Sequence, residues 1–417
     1  QKCICFPQTG KITFQCVADL YAASVAIAHP LLTPLVSYES DCAVPENYIP
    51  AVPEMSYQFA PVEKRRFIYP DVIHQNDSID KNKKKLLSIL DSFSKDTQKP
   101  LNFDDGFATV VPLPTPSPFS ITFLGTGSMF PSKYRNVTGI VLHTASGYVI
   151  LDPGEGFAGQ LRRRYGRENF EIIMRNLLFI WISHLHGDHH FGLYQLLQER
   201  AELENIPPVP LLCHSLIKNH MENFERMTGP LKFIYFSQTD GFEMKSLVRK
   251  QQEPIQRDMT KTETFSVGNV SITSIPVSHC VDSLGCLVTL DGGWKIAFSG
   301  DRNNTDKFAE IINTCDLLIH EATFTDELRD TAKEKGHSTI GQALDTGKSL
   351  NATYILLTHF SQRYPKLPVF SAETMENVAF AFDYLSINYE SMNQLCKVCP
   401  QIFQMIQDLE ADEKDEE

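Results

Sequence analysis

The sequence Ser-His-Leu-His-Gly-Asp-His-His at residues 183–190 concentrates side chains that bind metal ions. It follows the apolar run 177–182, which predicts a buried strand, and precedes residues 191–200, whose spacing is typical of an amphipathic helix. Sites in layered α/β proteins form where such strands end. Imidazoles with a carboxylate suit zinc and other borderline divalent metals, whereas the alternative is a polar turn with solvated histidines. The candidate ligands are His184, His186, Asp188 and His189.

Three more residues with metal-binding side chains, His279, Asp301 and His359, each follow a predicted apolar strand. Alone, each is more often an ordinary polar residue, but the shared position at strand ends lets them converge with the first four. Seven ligands exceed what one tetrahedral metal binds and suit two metals, about 3.5–4 Å apart, bridged by a carboxylate and a water that is activated for hydrolysis. We therefore expect Asp301 as the bridge, His184, His186 and His279 on one ion, and Asp188, His189 and His359 on the other.

Three loops near the predicted strand ends carry weaker signals. The turn at residues 125–128 (Gly-Thr-Gly-Ser) allows a close approach of the backbone, although turns need glycine for their own reasons. In the loop Pro131–Asn136, Lys133 and Arg135 are either surface charges or, beside a metal site, groups that bind phosphates. Asp152 either accepts a hydrogen bond from a ligating histidine or caps a helix.

The composition is that of a soluble globular chain. Of the 417 residues, 42% are hydrophobic and 21% are charged. No run is apolar enough to span a membrane, and no secretory signal is visible, although a chain that opens with Gln1 suggests a fragment. The net charge of −13 argues mildly against binding a polyanion by bulk electrostatics. Much of this acidity lies at residues 408–417, and bound dications would add local positive charge.

The ten cysteines are scattered along the chain, which predicts reduced and mostly buried thiols. Cys396 and Cys399 form one C-x-x-C pair. A structural zinc there is the alternative, but no second pair stands at a suitable spacing.

The chain changes character near residue 118. Residues 1–118 hold short strand-like runs and end in a Pro-rich stretch, which predicts an extended linker. From residue 119 strands and helices alternate, and residues 264–299 predict an antiparallel series with hairpin turns. Ser338 is expected to cap the helix 340–349, and beyond residue 370 we expect helix and loop without polar constellations. We thus predict an α/β catalytic domain at residues 119–390 and a C-terminal segment with an acidic tail at residues 391–417.

His-x-His-x-Asp-His after a strand, with later His, Asp and His at strand ends, resembles the metallo-β-lactamase superfamily. Within it, the chain resembles the tRNase Z family of tRNA 3′-processing endonucleases over residues 119–370, most closely the carboxy-terminal half of the long form. The resemblance implies an αββα sandwich of two mixed sheets with helices outside. Residues 1–118 would then be the end of an amino-terminal half and the linker between halves. The motifs that carry it are Pro131–Asn136, Asp152–Gly156, His320–Thr323, His337–Thr339 and His359–Tyr364.

The resemblance implies a zinc-dependent endoribonuclease that removes the 3′ trailer from precursor tRNA after the discriminator nucleotide. The products would be a tRNA with a 3′-hydroxyl and a trailer with a 5′-phosphate. Two Zn²⁺ would be the cofactors, although other divalent metals fit. Asp188 would orient the nucleophile, and His337, oriented by Glu321, would protonate the departing 3′ oxygen. Lys133, Arg135, Asn136 and Arg363 would bind the RNA.

The expected partners are precursor tRNA and either an amino-terminal half carrying the tRNA-gripping arm or a second copy of the chain, with no membrane. The long-form resemblance implies an intracellular protein of the nucleus, the mitochondrion or both. Two alternatives stay open. Another hydrolase of the superfamily would not need the Pro131–Asn136 and His337–Thr339 motifs, and a non-catalytic RNA-binding half would be expected to lack metal ligands.

Overall fold

The structure is a computed structural model that describes residues 113–132, 135–238, 262–364, 376–397 and 399–400, together with four short strands before residue 113. The chain divides into two compact units, Gln1–Thr109 and Val110–Glu417. In the first unit, β1 (Cys3–Cys5) pairs in parallel with β2 (Tyr48–Pro50), and β3 (Ser56–Gln58) pairs antiparallel with β4 (Arg66–Ile68). The boundary at residue 118 stays a prediction, and the acidic tail lies outside the described residues.

The first of two sheets in the second unit has seven strands in the order β10-β9-β8-β7-β6-β5-β18. Its strands β7 to β10 run parallel to one another, and β5, β6 and β18 pair antiparallel. Nearly every residue of the central strands is buried, as expected for a sheet covered on both faces. The strands are β5 (Phe119–Gly125), β6 (Gly139–Thr144), β7 (Gly147–Leu151), β8 (Leu177–Trp181), β9 (Val209–Cys213), β10 (Phe233–Ser237) and β18 (Ser386–Asn388).

The second sheet also has seven strands, in the order β11-β12-β13-β14-β15-β16-β17. The first four form the predicted antiparallel series, and β14 to β17 run parallel. The strands are β11 (Glu263–Val267), β12 (Val270–Pro276), β13 (Leu284–Thr289), β14 (Lys295–Phe298), β15 (Leu317–Glu321), β16 (Tyr354–Thr358) and β17 (Val378–Phe380).

The two sheets pack face to face through large apolar side chains. Trp181 on β8 is fully buried, meets the ring of Phe298 on β14 edge to face, and donates its indole N–H to Ser274 Oγ at 3.0 Å. Phe179 meets Phe265 in the same geometry. A buried tryptophan needs a partner for its N–H, so this contact fixes how the sheets are placed as well as burying apolar area.

Helices flank the sandwich, which confirms the predicted αββα architecture. α1 packs against β5 and α3, whereas α7 packs against β15 and β16. Within the described residues, no helix is long and apolar enough to cross a membrane. The helices are α1 (Phe157–Arg175), α2 (Gly187–His190), α3 (Leu193–Ala201), α4 (Ser215–Thr228), α5 (Phe308–Ile312), α6 (Arg329–Lys335) and α7 (Ile340–Ser349), with 3-10 turns at Asp291–Gly293, Asp326–Leu328 and Tyr389–Ser391.

Two local predictions are wrong. The residue that caps α7 is Thr339, in a capping box with Gln342, because the hydroxyl of Ser338 donates to the carbonyl of Arg302 at 2.6 Å instead. The segment beyond residue 370 contributes strands β17 and β18 to the two sheets, and it carries a buried carboxylate, Asp383. Pairing with distant strands outweighed local propensity in that segment.

The strand directions bring several chain segments to one edge of the sandwich. β7 and β8 are parallel neighbours in one sheet, and β14, β15 and β16 are parallel neighbours in the other. β12 points the same way as β14, because both pair antiparallel with β13. The residues that follow these strands therefore lie where ligands bind to open sheets of this kind.

Candidate metal centre

The seven predicted metal ligands meet at this edge. Every one of them follows a strand or lies on the short helix α2, so their backbones are held by the sheets and not by long loops. His184 and His186 follow β8, Asp188 and His189 lie on α2, His279 follows β12, Asp301 follows β14, and His359 follows β16.

Three imidazole nitrogens face one another in the first part of the cluster. His186 Nδ1 lies 3.0 Å from His184 Nε2 and 3.1 Å from His279 Nε2. Tetrahedral zinc, with Zn–N about 2.0–2.1 Å, separates its nitrogen ligands by roughly 3.3 Å, so this spacing suits one shared ion. Burial lowers the pKa of His184 and His186, and the neighbouring histidines lower both further. Neutral rings present lone pairs, which is the form that binds metal.

A second group surrounds Asp188. Its Oδ2 lies 3.4 Å from His359 Nε2 and 3.6 Å from His189 Nε2. Burial opposes ionisation of Asp188, but His189 and then His359 outweigh it and hold the pKa of the carboxyl well below its usual range. Burial opposes a charged His189, but Asp301 and Asp188 raise its pKa well above its usual range, so a metal ion that binds this group would displace a proton from the ring.

Asp301 lies between the two groups. Its carboxylate approaches His189 Nε2 at 3.3 Å and His359 Nε2 at 3.4 Å on one side. On the other side it lies 3.8 Å from His184 Nε2 and 3.7 Å from His279 Nε2. Burial would raise the pKa of Asp301, but His359 and His189 hold it well below its usual range. This central position is the one expected of a bridging carboxylate.

Hydrogen bonds orient three of the predicted ligand rings through the nitrogen that faces away from the cluster. His189 Nδ1 donates to Asp152 Oδ2 at 2.8 Å, and the same carboxylate accepts from the backbone N–H and the hydroxyl of Ser183, each at 2.7 Å. His279 Nδ1 donates to the carbonyl of Gly336 at 2.9 Å. Thr323 Oγ1 accepts from His359 Nδ1 at 2.9 Å. Such partners fix the tautomer, so the Nε2 of each of these rings faces the cluster. Of the two interpretations of Asp152, the structure favours the first, because its carboxylate accepts a hydrogen bond from the predicted ligand His189.

The residues present fit a bound metal. His189 Nε2 is buried and makes no hydrogen bond of acceptable geometry, although Asp301 Oδ2 lies 3.3 Å away. Buried polar nitrogens without a partner are rare in folded proteins, and an ion is one way to satisfy them. The donor set of imidazoles and carboxylates is the one zinc prefers. Each group of donors lies within 4.8 Å of its own members, and Cys280 falls in the group of His184, His186 and His279.

His337 stands beside the cluster and pairs with Glu321. His337 Nδ1 lies 3.1 Å from both carboxylate oxygens of Glu321 and 3.8 Å from Asp301 Oδ2. Burial opposes the charged ring, but the pairing with Glu321 raises the pKa of His337 to about 9. Glu321 is itself fixed by the Thr323 hydroxyl at 2.5 Å and the Arg302 N–H at 2.6 Å. His337 also lies within metal-ligand distance of His279 and Asp301, so its geometry fits either an acid or an additional ligand.

The predicted RNA-binding residues lie in different surroundings. Arg135 is buried, with its guanidinium 5.2 Å from the centre of the Phe360 ring. Asn136 is also buried, and its Nδ2 donates to the carbonyl of Glu155 at 2.9 Å. Arg363 is exposed and lies 5.0 Å from the centre of the Phe324 ring. Lys133 lies outside the described residues, and RNA contact by all four stays a prediction.

Asp383 is a residue near the site that sequence reasoning missed. Its fully buried carboxylate accepts from the backbone N–H of Asn136 at 2.7 Å and from the Thr126 hydroxyl at 2.8 Å, so it ties together two loops. Burial raises its pKa to about 7, against the lowering effect of these hydrogen bonds. The available signal was a lone acidic residue within the apolar run 378–385. Cys280 was also missed, because nothing in its spacing marks it, and Thr323 was given no role although it ends the motif His320–Thr323.

The fold and this site define a class of protein. Residues 148–360 match the family model described as the β-lactamase superfamily domain. The match spans half of the chain, and the chain belongs to that superfamily.

More specific likenesses point to one branch of it. A mitochondrial ribonuclease Z from Drosophila melanogaster is 36% identical over 76% of this chain and 40% of its own length. The human zinc phosphodiesterase ELAC protein 2 is 32% identical over 67% of this chain and 34% of its own length. The crystal structure of a long-form RNase Z from yeast aligns with 94% of this chain and 62% of its own at a TM-score of 0.69 and 21% identity, which bears on the fold alone. The predicted resemblance to tRNase Z is confirmed, and the chain spans well under half of these two curated relatives.

Replacing Asp152 by Asn tests the support behind the ligating ring of His189. The amide keeps the size of the side chain but removes the charge that orients His189, so we expect zinc affinity to fall by about 10- to 100-fold. Competition with a chromophoric chelator measures this affinity. Asp345→Asn, at an exposed position on α7, is the matched control and should leave it unchanged. Equal affinities for the two variants would contradict the supporting role.

Proposed function

We propose that this chain is the catalytic part of a zinc-dependent endoribonuclease that removes the 3′ trailer from precursor tRNA. Hydrolysis after the discriminator nucleotide would leave a 3′-hydroxyl on the tRNA and a 5′-phosphate on the trailer. The observation that carries the proposal is the convergence of all seven predicted ligands in a chain whose relatives include a ribonuclease Z and a zinc phosphodiesterase.

The residues divide between two zinc ions. His184, His186 and His279 would hold one, Asp188, His189 and His359 would hold the other, and Asp301 would contact both, as its distances to the two groups favour. When bound, such a pair supplies Lewis acidity and lowers the pKa of a coordinated water. The number of ions is part of the proposal.

Asp188 is placed to orient the groups that surround the scissile phosphate. Its Oδ2 accepts from the backbone N–H of Met129 at 2.7 Å and faces His359 and His189. This carboxylate therefore has a fixed orientation, and its position links the metal-binding helix α2 to the loop after β5. We assign it the orientation of the attacking water.

His337 would protonate the 3′ oxygen as the phosphorus–oxygen bond breaks. Glu321 favours the charged form of this ring and, against the effect of burial, raises its pKa to about 9. Glu321 stays ionised: burial opposes this, but His337 lowers its pKa. The proton on Nδ1 lies toward Glu321, so the ring presents its other N–H to the leaving group.

The four predicted RNA-binding residues would contribute to substrate binding in two ways, by contact with the RNA and by shaping a loop. Lys133 and Arg363 would contact the RNA backbone, whereas Arg135 and Asn136, both buried, would act together with Asp383 on the shape of their loop. Precursor tRNA is the proposed substrate. An amino-terminal half carrying the gripping arm, or a second copy, would supply further tRNA contacts. A mitochondrial location is proposed because the Drosophila relative is named a mitochondrial ribonuclease Z. A nuclear location rests on the long-form resemblance alone.

Incubating the zinc-loaded chain with a 3′-extended precursor tRNA tests the activity. We expect a single cut directly after the discriminator nucleotide, mapped by primer extension and end-group analysis, and its loss when a chelator removes the metal. Adding an amino-terminal half should lower KM, if that half holds the tRNA. Metal-dependent hydrolysis of thioesters or lactams without RNA cleavage would favour another hydrolase of the superfamily, and tight RNA binding without any hydrolysis would favour a non-catalytic half.

Comparing His337→Ala with Asp301→Ala separates proton donation from metal binding. We expect Asp301→Ala to lose both zinc ions and cleavage, because its carboxylate contacts both groups. His337→Ala should keep its zinc, measured by elemental analysis, while kcat falls by about 100- to 10,000-fold, the usual contribution of a general acid. Loss of zinc from His337→Ala would show a metal ligand in place of an acid.

A further inference from the structure

Large apolar side chains are exposed around the metal centre. Of the described residues, Met129 is 75% exposed, Phe130 54%, Phe191 57% and Val281 69%. Phe191 stands two residues after His189, and Val281 two residues after His279. Exposed apolar groups in contact with a polar site are costly in water and commonly mark a binding surface.

Phe191 is more than half exposed, but its ring also packs against the backbone. A Cβ atom built on Gly187 would lie 2.5 to 2.8 Å from three atoms of this ring, so the ring rests directly on the backbone of Gly187, the residue before Asp188. The ring of His190 meets it edge to face at 5.0 Å. An aromatic ring held from behind forms a ready platform, because little rotamer freedom remains to be lost on binding.

Phe130 is held on the opposite loop. The backbone N–H of Met129 donates to Asp188 Oδ2 at 2.7 Å, and the Gln362 side chain donates to the carbonyl of Phe130 at 2.8 Å. Met129 has a φ of 73°, in the left-handed region that methionine rarely adopts. The surrounding hydrogen bonds must enforce this strained backbone, and such strain is concentrated at functional sites.

We propose that Phe130 and Phe191, here called the aromatic rim, stack the unpaired bases that flank the scissile phosphate. This inference rests on the proposed function. The Phe191 ring packs on Gly187, the residue before Asp188, and Phe130 follows Met129, whose backbone N–H donates to Asp188. A phosphodiester at the metal centre would therefore have its two adjoining nucleotides near these aromatic residues. Stacking on aromatic rings tolerates every base and is the usual way in which proteins bind single strands. It would also add affinity to a chain whose net charge of −13 does not favour binding a polyanion.

Stacking on the aromatic rim thereby requires that the bases on both sides of the cut be unpaired. A paired base is already stacked within its helix, and its faces are not available to a protein ring. A 3′ extension annealed to a complementary strand should therefore be a poor substrate, whereas the sequence of the extension should matter little.

The test uses precursor tRNA that carries 2-aminopurine on either side of the cut and a non-cleavable linkage at the cut itself. This RNA is added to the zinc-loaded chain. Stacking on the aromatic rim should change the fluorescence of the probe, and Phe130→Leu or Phe191→Leu should remove that change while keeping an apolar side chain. Phe236→Leu, at a 37% exposed phenylalanine on the outer strand β10, is the matched control.

Cleavage kinetics give the second readout. Each rim variant should lose about 5- to 100-fold in kcat/KM on normal precursor tRNA, the usual contribution of one stacked base. On a precursor with an abasic site at the corresponding nucleotide, wild type and variant should be equal. An equal loss on both substrates, no loss on either, or a change of oligomeric state in the variants would overturn the proposal. A wild-type chain that binds the probe with stacking but does not cut would instead overturn the proposed function.

Discussion

The structure depends on seven nitrogen and oxygen donors held so close together that a metal ion between them would satisfy their lone pairs and negative charges. On one side of the cluster, burial keeps the pKa of His184 low, which favours a neutral ring that can bind a metal ion. Two ionised carboxylates, Asp188 and Asp301, lie on the other side, where their pKa values fall despite burial. Buried charges are tolerated only when they are paired or bind a metal. The hydrogen bonds that His189, His359 and His279 donate to Asp152, Thr323 and Gly336 hold these rings in place.

The sandwich creates this closeness by ending several strands at one edge. Sharp turns are needed there, and the backbone shows them: Asp152, Gly300 and His359 have φ values of 48°, 53° and 58°. Gly300 leaves no room for a side chain, since a Cβ atom would lie 2.4 Å from the carbonyl of Leu284. The strain at Asp152 and His359 persists because the surrounding hydrogen bonds outweigh it. The same turns aim these side chains at the cluster, so the chemistry follows from how the sheets end.

The position of the site could be predicted because its candidate residues come shortly after apolar strands, a pattern that is visible in the sequence alone. The helix predicted at residues 191–200 is α3 (Leu193–Ala201), and it could be predicted because its periodicity is local. The surroundings of Arg135 and Asn136 were not readable. They depend on Asp383, which lies 247 residues from Asn136 and becomes its neighbour only because β17 pairs with β16 and β18 pairs with β5. The cap of α7 was misplaced by one residue for a similar reason, because the carbonyl of Arg302 competes for the Ser338 hydroxyl.

Anomalous diffraction from crystals of the zinc-loaded chain, recorded on both sides of the zinc absorption edge, tests the metal centre most directly. Two peaks are expected, about 3.5–4 Å apart, one beside His184, His186 and His279 and the other beside Asp188, His189 and His359, with Asp301 between them. A single peak, or zinc bound away from these side chains, would contradict the account.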